Sequence, residues 1–206
     1  MQQKTIQQGA EAIISLNNNN QILKNRVKKS YRLKELDTKL RTRRTKSEAK
    51  IINKLKQIIN VPKIISANEN QIIMQFIDGK KLSQHLEKLD YKQISKQIGE
   101  SLTLLHNQNI IHGDLTTSNM IEKNNKIYII DFGLGFYSRK IEDKAVDLHL
   151  LKQALEAKHY KIANNCIKII LKNYKPDKYE LILERIPIIE SRGRYKTKNN
   201  INILSK

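Results

Sequence analysis

Two short stretches constrain this chain more than anything else in it: Ile111-His112-Gly113-Asp114-Leu115-Thr116-Thr117-Ser118-Asn119 and Ile129-Ile130-Asp131-Phe132-Gly133. They place an Asp, an Asn five residues later and a second Asp twelve beyond that, each beside a short apolar run. Ile110-Ile111 and Met120-Ile121 pin the first stretch on both sides, which favours a built site over an open turn. Alone, Asp114 would read as a helix N-cap and Asp131 as a strand-terminating residue before Gly133. Together, in this order and spacing, they suit a site that holds a nucleotide triphosphate through metal ions. Asp114 then orients an attacking hydroxyl or water, while Asn119 and Asp131 give hard oxygens to Mg²⁺. Magnesium keeps several waters and binds phosphate oxygens, so one amide and one carboxylate suffice.

The bulk properties set the frame. A chain of 206 residues can bury one sizeable core or two small lobes around a cleft. The formal charge of +19 points to a polyanionic partner, nucleic acid before an acidic membrane surface. Richness in Lys, Asn and Ile is also what A+T-biased coding produces, so the clustered arginines carry more weight than the lysines. Cys166 is the only cysteine, which excludes a disulfide framework. With no N-terminal apolar segment and no long apolar run, a soluble cytoplasmic protein without a membrane partner is expected.

The order of patterns predicts an α+β fold. Thr5 to Lys29 reads as antiparallel strands, with Asn17-Asn18-Asn19-Asn20 turning between Ala12–Leu16 and Ile22–Lys24. Tyr31 to Ile59 reads as helical, with Thr45 or Ser47 as a possible cap for the run from Glu48 to Leu55. Ile64-Ile65 and Ile72–Ile77 give two more strands, and Asp78-Gly79 a connector. Ile94, Ile98, Leu102 and Leu105 form the stripe of a long helix. A hairpin is expected across Asn124-Asn125, and residues 146–157 and 162–173 read as the last core helices. A small sheet-rich lobe with one main helix over a mostly helical lobe follows: 1–77, 78–190 and a basic tail at 191–206.

Lys24 ends a strand in a lysine-rich chain and would ordinarily be a surface residue. Glu48 raises it, being the only acidic residue between Thr38 and Ile59. A lysine that holds phosphate in a partly dry cleft needs a carboxylate to fix its rotamer.

These residues resemble a eukaryotic-type protein kinase reduced to a minimum. Lys24 matches the strand lysine, Glu48 its helix partner, Asp114 and Asn119 the catalytic loop, and Asp131-Phe132-Gly133 the metal-binding motif. More narrowly, Gln8-Gly9-Ala10-Glu11-Ala12, Lys29-Ser30-Tyr31-Arg32, Glu35-Leu36-Asp37, Arg43-Arg44-Thr45-Lys46-Ser47-Glu48-Ala49, His112 through Asn119, Glu142 through Leu148 and Arg192-Gly193-Arg194 resemble one family. It is the small atypical kinase/ATPase subunit of the KEOPS complex, which helps install threonylcarbamoyl groups on an adenosine of tRNA. The match covers nearly the whole chain in order. It implies ATP and Mg²⁺ as cofactors, with Gly9 and Glu11 near the phosphates and Met74, Gln75 and Ile77 at the adenine. It implies as partners the KEOPS subunit that transfers the threonylcarbamoyl group, the other KEOPS subunits and tRNA, the last met by Arg192, Arg194, Tyr195 and Lys196.

Departures from a protein kinase bear on mechanism. Of the glycine-rich loop only Gly9 is left, and Gly113 stands where an Arg usually precedes the catalytic Asp. Asp147 follows Asp131 by only sixteen positions, with no Ala-Pro-Glu-type segment between them, so a peptide-docking platform hardly fits. Asp147 resembles the buried Asp that braces the catalytic loop, and His112 a residue that packs beneath it. A second basic patch, Lys24 to Arg44, includes Arg26, Lys28, Lys29, Arg32, Arg41, Arg43 and Arg44. Two other readings stay open: a free-standing small-molecule kinase, for whose acceptor pocket little length is left, and a catalytically silent RNA-binding scaffold, which would have no need of all four site residues.

Overall fold

Apolar residues at alternate positions give a strand one covered face, and the short polar runs between them supply turns. The computed structural model describes residues 4–9 and 11–192, and its N-terminal part is a five-stranded antiparallel sheet. Its strands are β1 (Lys4–Gln8), β2 (Ala12–Leu16), β3 (Gln21–Arg26), β4 (Ile64–Ala67) and β5 (Gln71–Gln75), ordered β1-β2-β3-β5-β4. The asparagine run turns as expected, because Asn17 Oδ1 accepts the N–H groups of Asn19 and Gln21 and Asn20 takes φ 57°.

Helix α1 (Lys34–Leu55) crosses between β3 and β4. It is one uninterrupted helix, so neither Thr45 nor Ser47 caps it. Thr45 is buried and its hydroxyl donates to Arg41 O one turn back. The helix begins upstream at Lys34 with no side-chain cap, and the fully buried Asp37 ties its first turn to the preceding loop by accepting from Lys29 N–H and Arg41 Nε.

The remaining chain is mostly helical. After β6 (Lys80–Lys81) come α2 (Leu82–His85) and α3 (Tyr91–Asn107), the latter N-capped by Asp90 onto Lys92 and Gln93 N–H. Strand β7 (Ile110–Ile111) leads into the stretch that carries Asp114 and Asn119, and β8 (Met120–Lys123) and β9 (Lys126–Ile129) form the hairpin. Asn124 and Asn125 both adopt positive φ, 51° and 59°, as a two-residue hairpin turn demands. Strand β10 (Phe136–Tyr137) pairs back onto β7. Helices α4 (Ile141–Lys158), α5 (Ala163–Asn173) and α6 (Tyr179–Arg192) complete the described chain. Helix α6 lies beyond the last helix that the sequence pattern predicts, at 162–173. Helix α6 was hidden by Pro187 in its interior, yet it forms because Ile182 is fully buried and α6 packs along α4.

The main core joins the two parts. Ile51, Ile52 and Leu55 of α1, each 0% exposed, pack in one cluster with Ile98, Leu102, Phe132, Leu151 and Ile182. Each such side chain contributes about 1.5–3 kcal/mol by leaving water. A smaller cluster of Ala49, Ile72 and Met74 ties α1 to the sheet. Among the described residues no helix is long and apolar enough to cross a membrane.

Candidate functional site

Side chains two apart on a strand share a face, so β3 directs Lys24 and Arg26 to the same side, against α1. There the carboxylate of Glu48, 0% exposed, lies between them. Lys24 Nζ donates to Glu48 Oε1 at 2.7 Å and Arg26 Nη2 to Glu48 Oε2 at 2.6 Å. Lys24 Nζ also lies 2.7 Å from Asp131 Oδ1. Burial disfavours the Lys24 ammonium, but Glu48 and Asp131 outweigh it by charge and hydrogen bonds and hold its pKa above the ordinary lysine value. Burial likewise opposes the Asp131 carboxylate, but the Lys24 charge, its hydrogen bond and the N–H of Gly133 lower its pKa below the usual range.

The loop carrying Asp114 is held from below. Asp147, fully buried on α4, accepts the N–H groups of His112 at 2.6 Å and Gly113 at 2.9 Å. His112 packs against Phe132 with ring centres 4.7 Å apart and planes tilted by 47°. Its Nε2 is 3.1 Å from Ile130 O and its Nδ1 3.3 Å from Asp114 N, so the tautomer protonated at Nε2 satisfies both. Asp114 itself is exposed. Asn119 Nδ2 donates to Asp114 O at 2.8 Å and Oδ2 at 2.9 Å. Its amide oxygen is left without a partner among the described residues. Asp131 takes φ 62°, which aims its side chain away from the path of β9.

Some of these groups border one cleft of about 340 Å³. Asp114 does not line it and reaches it only through its hydrogen bonds with Asn119. Lys24, Glu48, Met74, Gln75, Ile77, Asn119 and Asp131 line it, so seven of the expected residues converge. Gly9 and Glu11 do not line it: the sheet edge contributes Ile6 and Gln7 instead, and Glu11 pairs with Arg44 at 2.7 Å. Gln75 N–H is engaged by Lys63 O, whereas Ile77 N–H has no partner among the described residues. A donor set of amide oxygen, carboxylate and buried ammonium fits a magnesium-bound phosphate, in which phosphate oxygens complete the coordination. Among the described residues no group of three or more His, Cys, Asp or Glu could hold a metal by itself. A larger cavity of about 730 Å³, lined by Asp78, Asp90, Gln97 and Glu122, contains none of the expected residues.

Sequence reasoning assigned Arg26 to a surface basic patch, but it is 5% exposed and bound to Glu48. The signal that could have found it was its two-residue spacing from Lys24. Arg32 and Arg41 pair with Asp37, so that patch is partly neutralised internally. Of the tail residues, Arg192 pairs with Glu142 at 3.0 Å; Arg194, Tyr195 and Lys196 lie outside the described residues.

Residues 14–140 match the RIO domain family, more than half of the chain. The chain is also 41% identical over 215 residues to the KEOPS complex subunit Bud32 of Pyrococcus abyssi, covering 95% of this chain and 98% of that one. This is a RIO-domain protein of the Bud32 family. It is 39% identical over 177 residues to a probable bifunctional tRNA threonylcarbamoyladenosine biosynthesis protein of Methanothermobacter thermautotrophicus, covering 84% of this chain and 33% of that one. The chain therefore spans about a third of such bifunctional relatives. The Rio2 kinase–ADP/Mg²⁺–phosphoaspartate complex from Chaetomium thermophilum superposes with a TM-score of 0.61 at 17% identity, over 92% of this chain and 65% of that one. The chain spans just under two thirds of that kinase, and at this identity the likeness establishes a kinase-like fold alone.

Proposed function

We propose that this protein binds Mg-ATP in the cleft and acts as the atypical Ser/Thr kinase/ATPase subunit of a KEOPS complex, in the cytoplasm, supporting threonylcarbamoyladenosine formation on tRNA. The observation that carries the reading is the Lys24 ammonium held 2.7 Å from both Glu48 and Asp131 at the wall of the cleft that Asn119 lines. Magnesium, when bound, neutralises charge on the transferring phosphoryl group. Asn119 and Asp131 would hold it. Lys24 would bind phosphate oxygens, and Ile77 N–H would meet the adenine, with Met74 and Gln75 beside it. Asp114 would orient the attacking oxygen and take its proton.

Charge supports the polyanionic partner, and the names carried by the relatives support KEOPS subunits and tRNA. The basic tail with Arg192, Arg194, Tyr195 and Lys196 would add phosphate contacts and a stacking ring.

The deciding measurement is ATP turnover by the pure protein, then with tRNA and the threonylcarbamoyl-transferring subunit added. Turnover that rises on addition supports the reading. Phosphorylation of a metabolite by the lone protein would favour a small-molecule kinase, and RNA binding without Mg-ATP binding would leave a scaffold.

A further inference from the structure

Glu48 serves two cations. It is fully buried, and each of its oxygens accepts from a different side chain of β3: Oε1 from Lys24, Oε2 from Arg26. Arg26 is as buried as Lys24, at 5% and 6% exposure, and its Nε has no hydrogen-bond partner. A guanidinium sealed in this way faces Glu48 alone among the carboxylates near it. The group closes against the backbone of Gly133. A Cβ there would stand 2.9 Å from Asp131 Oδ1, 3.3 Å from Lys24 Nζ and 3.4 Å from Arg26 Nη2. Both cations and the Asp131 carboxylate are thus packed around one bare α-carbon, and Glu48 binds the two cations.

The proposed nucleotide site requires two of the four to change partners. Asp131 must turn to a cation and Lys24 to phosphate oxygens. With Lys24 as its only partner, Glu48 would be stranded as a buried carboxylate whenever the ammonium moved, which is strongly unfavourable. Arg26 removes that penalty. It also fixes where Glu48 stays, because α1 is anchored through Ile51, Ile52 and Leu55 in the main core. We infer that Arg26 is a positioning residue of the nucleotide site, holding Glu48 so that Lys24 is free to pass from Asp131 to a phosphate.

This inference rests on Mg-ATP binding in the cleft, so the test begins with the wild type. Calorimetric Mg-ATP affinity and the KM and kcat of ATP turnover are measured for wild type, Arg26→Met, Arg26→Gln, Arg26→Lys, Glu48→Gln and the Arg26→Met/Glu48→Gln pair. Arg26→Met and Arg26→Gln should raise Kd and KM by about 10- to 100-fold, the usual cost of removing a supporting partner. The effect on kcat should be smaller, and Arg26→Lys should recover most of the loss. In the Glu48→Gln background Arg26→Met should add little, since its effect passes through Glu48. Arg26→Gln keeps a donor and a similar volume, and reads the same quantity if the Met variant fails to fold. Folded Arg26 variants that bind Mg-ATP as the wild type does, or penalties that simply add in the double variant, would overturn the inference while leaving the proposed function standing. A wild type that binds no Mg-ATP would overturn both.

Discussion

The carboxylate of Asp147, fully buried on α4, accepts the backbone N–H of His112 at 2.6 Å, and through that bond a core helix holds the loop that presents Asp114. The same carboxylate takes Gly113 N–H. Asp147→Ala strands two inward-facing donors, at about 1–3 kcal/mol each. Urea unfolding at pH 7 should show a loss of about 2–5 kcal/mol, and ATP turnover should fall in the protein that stays folded. A loss under 1 kcal/mol would mean the loop is held by its apolar neighbours instead.

Asp131→Asn tests the metal role with little disturbance of the fold. Asparagine tolerates the φ of 62° and keeps an acceptor for Gly133 N–H at 3.1 Å. Only the charge beside Lys24 is lost. Mg²⁺-dependent turnover should drop about 100-fold or more, since even outer partners of a metal are worth 10–100-fold. Turnover that stays unchanged would remove Asp131 from that role.

Gly99 reverses the usual helix rule. In an exposed helix Gly→Ala gains about 1 kcal/mol. Here an added Cβ would stand 2.5 Å from Ile170 O, where α3 crosses α5. Gly99→Ala should therefore lose about 1–3 kcal/mol by overpacking, read as a lower urea midpoint. A higher midpoint would show that the crossing can open cheaply.

Acid should destabilise the fold before the carboxylates titrate. His106 is fully buried, its Nδ1 2.6 Å from Tyr174 Oη, and burial lowers its pKa despite Asp147 nearby. The partly screened His159 is also lowered by burial. With folded pKa values below the unfolded 6.5, the unfolded chain binds more protons, so stability falls as pH drops from about 6.5 toward the folded values. Unfolding free energy from denaturant melts should be lower at pH 5 than at pH 7, and His106→Asn should flatten that difference. Asp131 acts in a lower window. Its depressed pKa gives stability that is present above 3.8 and lost as pH falls through the folded value.

Strand alternation and helical periodicity carried the fold class, and the spacing of Asn119 and Asp131 marked two residues that the fold brings to one cleft, because these patterns are local. A period of two marks a strand face, and polar residues pinned between apolar pairs mark a loop with a purpose. The same local logic missed the end of the chain. Pro187 argues against a helix by propensity, and only packing against α4, with Ile182 buried, overrides it. It also misjudged Thr45, whose hydroxyl can bond back along its own helix as readily as it can cap one.

What the sequence alone determined is which residues have the chemistry to hold a phosphate and a cation. It could not say which of many lysines and arginines would be buried, because charge is a local property and burial is a long-range one. The partners decide it: Lys24 meets Asp131 across 107 residues, and Arg26 shares Glu48 with it. Only the folded chain could turn a strand arginine from a solvated cation into a buried partner of Glu48, since no position in sequence shows that α1 will deliver a carboxylate there and then exclude the water around it.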